Sequence, residues 1–140
     1  MRALLVVLIS LAACDTASTD EVHVSDLSHD AAALVGTWDW EQSTYHDSVT
    51  GEPGTVTPRS AGESETYVFG ADGTVQVYRG GELDRSEAYE VRRFTRSDGV
   101  ESSVPYLFIG SRMEWFGIDG DLLYFDSRPS DGPLARYRRR

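Results

Sequence analysis

"SETYVFGADGTVQVYRG", residues 64–80, is the stretch that decides the fold. Two short runs of strand-forming residues, 64–70 and 74–80, stand on either side of the pair Asp72-Gly73. Because an Asp-Gly pair readily adopts the positive φ angles of a tight turn, the stretch predicts a β-hairpin. The pair Gly80-Gly81 predicts a second corner directly after the second strand.

The chain from residue 34 onward continues this pattern of short strands and turns, without a long segment of helical periodicity. The predicted strands span 34–45, 64–70, 74–80, 85–94, 104–110, 112–118, 121–127 and 134–139. Eight antiparallel strands in sequential order can close on themselves, which removes the exposed edges of a sheet. We therefore expect residues 34–140 to form one all-β domain, an eight-stranded antiparallel up-and-down barrel.

The first residues form a different kind of segment. Arg2 precedes the apolar run 3–11, and two alanines precede Cys14, the single cysteine of the chain. The apolar run is too short to cross a bilayer about 30 Å thick. Positive charge, apolar run and small residues in this order are typical of a secretory signal peptide, which we expect over residues 1–13. A plain signal peptide followed by an incidental cysteine is the alternative for Cys14.

The sequence Leu-Ala-Ala-Cys at residues 11–14 resembles the lipobox of bacterial lipoproteins. The resemblance implies that the Cys14 thiol receives a diacylglyceryl group and that Cys14 becomes the first residue of the mature protein. It also implies a location in the bacterial cell envelope, on a membrane facing the periplasm or in the outer membrane. Two or more acyl chains hold a protein stably on a membrane. Since one cysteine allows no disulfide within the chain, the fold depends on its core.

Residues 14–33 read as a flexible tether between the lipid anchor and the domain. They combine many Ser, Thr and Ala residues with five carboxylates and no basic residue, and such a segment buries too little apolar surface to offset its ordering entropy. The formal net charge of the whole chain is −10, and it becomes −11 when Arg2 leaves with the signal peptide. This charge argues against nucleic acids and anionic lipid surfaces as partners.

The start of the first strand carries a second resemblance. "LVGTWDW", residues 34–40, resembles the Gly-x-Trp signature of lipocalins, here Gly36 and Trp38. Together with "TVTPRSAGESETYVFGADGTVQVYRGGEL", residues 55–83, the pattern is similar to small lipocalin-like lipoproteins of bacterial envelopes. The resemblance implies that Trp38 closes one end of the barrel by stacking on an arginine of the last strand. Arg136 and Arg138 are the two candidates for that cation–π contact.

An eight-stranded barrel is either filled by side chains or holds one small ligand. Because strand residues alternate in direction, about half of the aromatic residues point inward. The candidate ligand-lining residues are Trp40, Tyr67, Phe69, Tyr78, Tyr89, Trp115 and Tyr124. The connection 46–63, with Arg59 as its only base, is longer than a hairpin needs, and the lipocalin resemblance implies that it covers the open end of the barrel as a lid. Two functions stay open: a barrel that binds a small apolar ligand, and a filled barrel that presents its acidic surface to another envelope protein.

Residues able to bind metals occur in two places, but neither pattern predicts a site. The first set lies in the tether and comprises His23, Asp26, His29 and Asp30. A flexible segment does not preorganise ligands, so we expect no metal there. The second set surrounds the last predicted hairpin and comprises Asp119, Asp121, Asp126 and Asp131, at spacings that match no calcium loop. The sequence also lacks a nucleophile elbow, a phosphate loop and a His-Glu-x-x-His motif, so we expect neither an enzyme nor a cofactor.

Overall fold

The computed structural model describes residues 22–95 and 97–140, and over these residues the chain is all-β. Nine strands follow in chain order: β1 (Gly36–His46), β2 (Pro53–Val56), β3 (Glu65–Phe69), β4 (Thr74–Arg79), β5 (Glu82–Arg92), β6 (Tyr106–Ile109), β7 (Arg112–Asp119), β8 (Leu122–Asp126) and β9 (Leu134–Arg139). Two one-turn helices, α1 (Ala31–Leu34) and α2 (Pro58–Ala61), and two 3₁₀ turns, Val24–Asp26 and Arg128–Ser130, complete the described structure.

The strands form one antiparallel sheet that closes in a ring. Its order is β2-β1-β3-β4-β5-β6-β7-β8-β9, and β9 pairs in turn with β1. At this seam Trp38 lies opposite Arg139, and Thr44 lies opposite Leu134. Closure leaves eight strands in the ring and places β2 beside the far end of β1. The predictions of an all-β chain and of antiparallel strands in sequential order are therefore confirmed.

The ninth strand corrects the prediction of eight. Residues 53–56 fall in the connection 46–63, which we expected to be a lid without regular structure. Instead β2 pairs with the end of β1, from Ser43 opposite Val56 to His46 opposite Pro53. The one-turn helix α2 follows, and Thr57 and Ser60 satisfy each other's backbone N–H groups at its start in a capping box. Half of the residues in this connection therefore lie in a strand or a helical turn.

The core lies inside the ring and is concentrated toward one end. Leu34, Trp38, Val75, Val77 and Leu123 have no exposed surface. They lie with Phe69, Leu107, Ile109, Phe116 and other residues in a single cluster. A bulge between Trp40 and Gln42 shifts the alternation of β1, and a second between Val77 and Tyr78 shifts the pairing of β4 with β5. Bulges of this kind increase local twist and bend a sheet, which helps it to close.

The described residues before β1 pack against the ring, which differs from the prediction of a flexible tether over 14–33. Val24 is buried, and Ser28 exchanges backbone hydrogen bonds with Ile118 of β7. A Cβ atom on Gly117 would lie 2.7 Å from the Cβ of Leu27, so only glycine allows this close approach. Apolar contacts of Val24 and Leu27 and the backbone hydrogen bonds of Ser28 thus join this segment to the sheet. Cys14 and the expected signal peptide lie outside the described residues.

Candidate functional site

Trp38, near the start of β1, lies at one end of the ring interior and contacts an arginine of the last strand. The Trp38 side chain has no exposed surface, and its Nε1 donates a hydrogen bond of 2.7 Å to the carbonyl of Leu34. The guanidinium carbon of Arg139 lies 4.1 Å from the centre of the Trp38 ring system. Arg139 also donates hydrogen bonds to the carbonyls of Val35 and Ala33, at 2.8 and 2.5 Å. These hydrogen bonds join strand β9 to the segment that directly precedes β1.

The arginine that stacks on Trp38 is Arg139, so the prediction of Arg136 or Arg138 is wrong. Side chains alternate along β9, and the buried Tyr137 shares the inward face with Arg139. Arg136 and Arg138 therefore point outward, where both contact the carboxylate of Glu41. The hydrogen bond from Arg138 and the charge and hydrogen bond of Arg136 hold the pKa of Glu41 below its ordinary value, despite some opposing desolvation.

Gly36 is part of the same arrangement. Its φ angle is +139°, a conformation that residues with side chains rarely adopt. A Cβ atom at this position would also lie only 2.7 Å from Nη1 of Arg139. Gly36 and Trp38 thus serve one structural purpose, which is to leave room for the arginine and to give it an aromatic surface.

Three of the candidate ligand-lining residues fill the centre of the ring. Tyr67 and Phe69 are buried, and Tyr89 packs against the core. The Tyr67 ring contacts Phe125 of β8 and Tyr137 of β9, with centroid separations of 5.4 and 5.3 Å. Phe69 contacts Tyr67 on one side and Tyr89 on the other, at 5.9 and 4.9 Å. Since β1 and β9 stand between β3 and β8 in the ring, the contact of Tyr67 with Phe125 crosses its interior.

The opposite end of the interior is polar. The Tyr137 hydroxyl donates a hydrogen bond of 2.7 Å to Glu65, and Arg79 donates one of 3.1 Å to the other oxygen of the same carboxylate. Burial raises the pKa of Tyr67, and burial together with the neighbouring Tyr67 and Glu65 raises the pKa of Tyr137 well above its ordinary value. Both phenols therefore stay protonated. Sequence reasoning missed Tyr137 because its neighbours in β9 are mostly arginines.

A second inward acid, Glu114, lies opposite Leu107 of β6. Burial raises its pKa above the ordinary value of 4.5, although the charge of Arg112 and a hydrogen bond from Ser127 act in the other direction. A raised pKa means that the folded protein favours the neutral acid. Glu114 is therefore a group whose ionisation opposes folding.

Trp40, another candidate ligand-lining residue, borders a small cavity at this polar end. The cavity has a volume of about 240 Å³ and is lined by Trp40, Ser43, Glu63, Glu65, Arg79 and Tyr137. Trp40 Nε1 donates a hydrogen bond of 3.0 Å to the Ser43 hydroxyl. Small-molecule sites usually have volumes from roughly 300 to 1,000 Å³, so this cavity is below the usual range.

The remaining three candidates, Tyr78, Trp115 and Tyr124, are on the outer face, so their assignment to an internal site is wrong. Each stands next in sequence to buried inward residues, and strand alternation directs it outward. Tyr78 donates a hydrogen bond to Gln76. Tyr124 lies in an outer groove of about 450 Å³ that also includes Arg128 and Arg136. Trp115 belongs to a different surface.

That surface lies on the outer face of β6 and β7 and consists of Phe94, Tyr106, Phe108, Met113 and Trp115; we call it the aromatic patch. Tyr106 pairs with Trp115 across the two strands, and Phe108 pairs with Met113. Phe94, from the segment after β5, packs edge-on against Tyr106 and Phe108. The patch had no clear signal in the sequence, since its members come from three separate segments.

The outer groove is bordered by an ion pair. Arg128 donates hydrogen bonds to both oxygens of Asp126 and to the carbonyl of Val22, each at 2.8 Å. Burial alone would raise the pKa of Asp126, but the hydrogen bonds and charge of Arg128 outweigh it, so the net pKa is lowered. Asp126, one of the four candidate calcium ligands, is therefore engaged by an arginine.

The other residues considered for metal binding do not come together. Within residues 22–95 and 97–140, no group of three or more histidine, cysteine or acidic side chains is arranged to hold a metal ion. His29 packs edge-on against Phe116, and burial together with the charge of Arg93 lowers its pKa. Asp30 caps helix α1 by accepting a hydrogen bond from the Ala32 N–H. Arg59, expected in a lid, lies on the exposed turn α2.

No protein family, curated protein or solved structure matches this chain. Over the part of the chain that the structure describes, no helix has the length and apolar character needed to cross a membrane.

Proposed function

We propose that this chain is a lipid-anchored protein of the bacterial cell envelope, without enzymatic activity, that acts as an interaction module through the outer surface of a filled barrel. The signal-peptide pattern and Leu-Ala-Ala-Cys at residues 11–14 support the anchor. The chain then continues into a domain that needs no disulfide, because an apolar cluster of buried side chains fills much of its interior.

Contact between aromatic rings across the ring interior is the observation that carries this proposal. Tyr67 and Phe69 were predicted to line the barrel interior, and Tyr137 lies beside them. Each of the three side chains is at most 5% exposed. The Tyr67 ring contacts those of Phe69, Tyr137 and Phe125, so these side chains occupy the space where an apolar ligand would lie. A filled eight-stranded barrel offers its outer face, and not its interior, to partners.

The finer description of the ring as a lipocalin-like up-and-down barrel is part of the same proposal. Three features support it: the strands close in sequential order, Gly36 and Trp38 stand at the start of the first strand, and an arginine of the last strand stacks on Trp38. The position of the arginine differs from the expected one, but its contact with the tryptophan is the same.

A ligand-binding barrel is the second candidate, and the polar-end cavity is the observation that favours it. Its lining joins the Trp40 indole and the Tyr137 ring to the carboxylate of Glu65. With about 240 Å³, it would accept only a ligand smaller than those of typical sites. The interior itself would have to open before an acyl chain entered.

Native mass spectrometry of the acylated protein purified from its own host separates the two candidates. A filled barrel gives the mass of the acylated chain alone, whereas a carrier gives an additional peak from a co-purified molecule. A reproducible ligand peak that is lost in the variant Trp40→Ala would contradict the filled barrel.

The anchor is tested separately by metabolic labelling with a fatty acid that carries an alkyne. We expect label on the wild-type chain and none on Cys14→Ser. Equal labelling of the two chains, or none of either, would contradict a lipid anchor at Cys14.

A further inference from the structure

The aromatic patch is a continuous apolar surface on the outside of the ring. Phe94 is 43% exposed and Met113 is 49% exposed, which is unusual for such large apolar side chains. The ring of Phe94 lies 5.2 Å from that of Tyr106 and 5.7 Å from that of Phe108, and Tyr106 lies 5.5 Å from Trp115. The five side chains thus support each other and present one surface to the exterior. Contiguous apolar surfaces of this kind mark contact with a partner or a membrane.

The patch continues a face that is covered elsewhere by the chain itself. Gly117 stands two residues after Trp115 in β7, so both are on the outer side of the strand. At Gly117 the sheet is covered by Leu27 from the segment before β1. Trp115 and Met113 extend the same row past this covering, and Met113 is half exposed. The outer face of β7 at Met113 and Trp115 is therefore accessible to a binding partner or a membrane.

Arginines adjoin the patch on the side of β5. The guanidinium of Arg92 lies 4.7 Å from the centre of the Phe108 ring and is also paired with Glu90. Arg93 donates hydrogen bonds to the carbonyls of Ser102 and Ser103, which holds the segment that carries Phe94 against the strands. Tryptophan, tyrosine and arginine together are typical of the headgroup region of a bilayer, where a ring is half buried and a cation meets phosphate.

The described chain begins close to the proposed anchor. Val22 follows Cys14 by eight residues. At no more than about 3.6 Å per residue, the segment between them spans at most about 29 Å. An acylated chain therefore keeps Val22 within this distance of the bilayer, which is close enough for an outer face of the ring to reach the lipid.

We propose that the aromatic patch lies on the bilayer surface, with Trp115, Tyr106 and Phe94 among the headgroups of zwitterionic lipids. This inference rests on the proposed lipid anchor for its proximity to the membrane. The five patch side chains are uncharged, whereas the chain as a whole has a net charge of −10, which disfavours anionic lipids. Acylation makes contact of the patch with the bilayer an intramolecular event, so weak intrinsic affinity is sufficient. The contact fixes which face of the ring is turned away from the membrane.

Fluorescence quenching by brominated lipids tests the contact directly. The acylated protein is reconstituted into phosphatidylcholine vesicles that carry bromine on the acyl chains near the headgroups. Trp38 is fully buried, and Trp40 is partly buried at the polar end of the ring interior, so neither belongs to the aromatic patch. We expect strong quenching of the wild-type emission and little quenching of Trp115→Phe, which retains the two internal tryptophans. Equal quenching of both proteins, or of neither, would overturn the proposal.

Flotation of the same vesicles separates this inference from the proposed anchor. Protein that floats with the vesicles while Trp115 is not quenched contradicts the patch contact and leaves the anchor intact. Protein that does not float contradicts the anchor.

A matched pair of variants tests the patch without the acyl chains. Met113 and Leu83 are both apolar residues on the outer face of a strand, 49% and 54% exposed, but Leu83 lies outside the patch. In the full mature chain with Cys14→Ser, Met113→Glu should weaken binding to phosphatidylcholine vesicles at least about tenfold, because one large apolar side chain no longer enters the interface. Leu83→Glu should leave binding unchanged. Equal effects of the two substitutions, or a dimer that Met113→Glu dissociates in sedimentation experiments, would overturn the proposal.

Discussion

The two ends of the ring interior differ in polarity. At the end of Trp38, apolar side chains are fully buried and the polar atoms of Trp38 and Arg139 are satisfied by carbonyls of the chain before β1. At the end of Glu65, inward positions carry charged residues, hydrogen bonds link Tyr137 and Arg79 to one carboxylate, and a small cavity remains. The first end therefore carries most of the stability, whereas the second tolerates water and charge. Substitutions at the two ends should differ accordingly.

The largest effect is expected from Trp38→Ala. This change removes a completely buried ring, the hydrogen bond to Leu34 and the surface on which Arg139 stacks. We expect the free energy of unfolding to fall by about 3–5 kcal/mol. Trp40→Ala at the polar end is the matched control, because Trp40 is only partly buried. Unfolding in urea measures both, and equal losses would show that the two ends do not differ.

Arg139→Ala should give the second largest effect. It removes the stacking on Trp38 and leaves the carbonyls of Ala33 and Val35 without their donor. We expect a loss of about 1–3 kcal/mol in the free energy of unfolding. Arg138→Ala, one residue earlier in β9, should have a much smaller effect, because the contact of Arg138 with Glu41 is an ion pair on the surface. A larger loss of stability in Arg138→Ala than in Arg139→Ala would contradict the assignment of Arg139 as the arginine that stacks on Trp38.

The substitution Glu114→Gln tests how ionisation of this buried acid affects the pH dependence of stability. Because the pKa of Glu114 is raised in the folded protein above 4.5, the folded state binds more protons than the unfolded state just above that pH. Stability therefore falls as the pH rises through this window. In Glu114→Gln this decrease should be smaller, and the variant should gain relative to wild type as the pH increases. Urea unfolding at a series of pH values from 4 to 7 measures the difference, and an unchanged pH profile would contradict a buried Glu114.

The smallest effect concerns the outer side of the seam between β1 and β9. Glu41 pairs there with Arg136 and Arg138, all three partly exposed to solvent. We expect Glu41→Gln to lower the free energy of unfolding by less than about 1 kcal/mol. The loss should decrease further in high salt. A loss as large as that of Arg139→Ala would mean that the seam depends on its outer charges more than on the inner stacking.

Much of the strand order could be predicted, because turns and alternation are local properties of the sequence. The hairpin at Asp72-Gly73 and the return strand to Arg79 follow from a few neighbouring residues. The contact of Trp38 with an arginine of β9 was expected from the Gly-x-Trp motif, although the motif did not give the correct arginine. Strand β2 was missed because Pro53 and two glycines around it suggested a loop, while its pairing depends on the distant end of β1.

The closing arginine and the outward rings could not be derived in the same way. Which of the arginines in β9 meets Trp38 depends on the register between the first and last strands, which the bulge after Trp40 alters. The packing of Val24 and Leu27 depends on the space above Gly117, a feature of the folded sheet. The aromatic patch likewise exists only once β6 and β7 pair. These properties come from contacts between distant segments.

The central claim is that the ring interior is occupied by its own side chains, so that function lies on the outer face. The electron density inside the ring, in crystals of the protein purified from its own host, tests this claim most directly. We predict that the rings of Tyr67, Phe69 and Tyr137 touch as described, with no further density between them. Elongated density of a bound molecule between displaced Tyr67 and Tyr137 rings would contradict it.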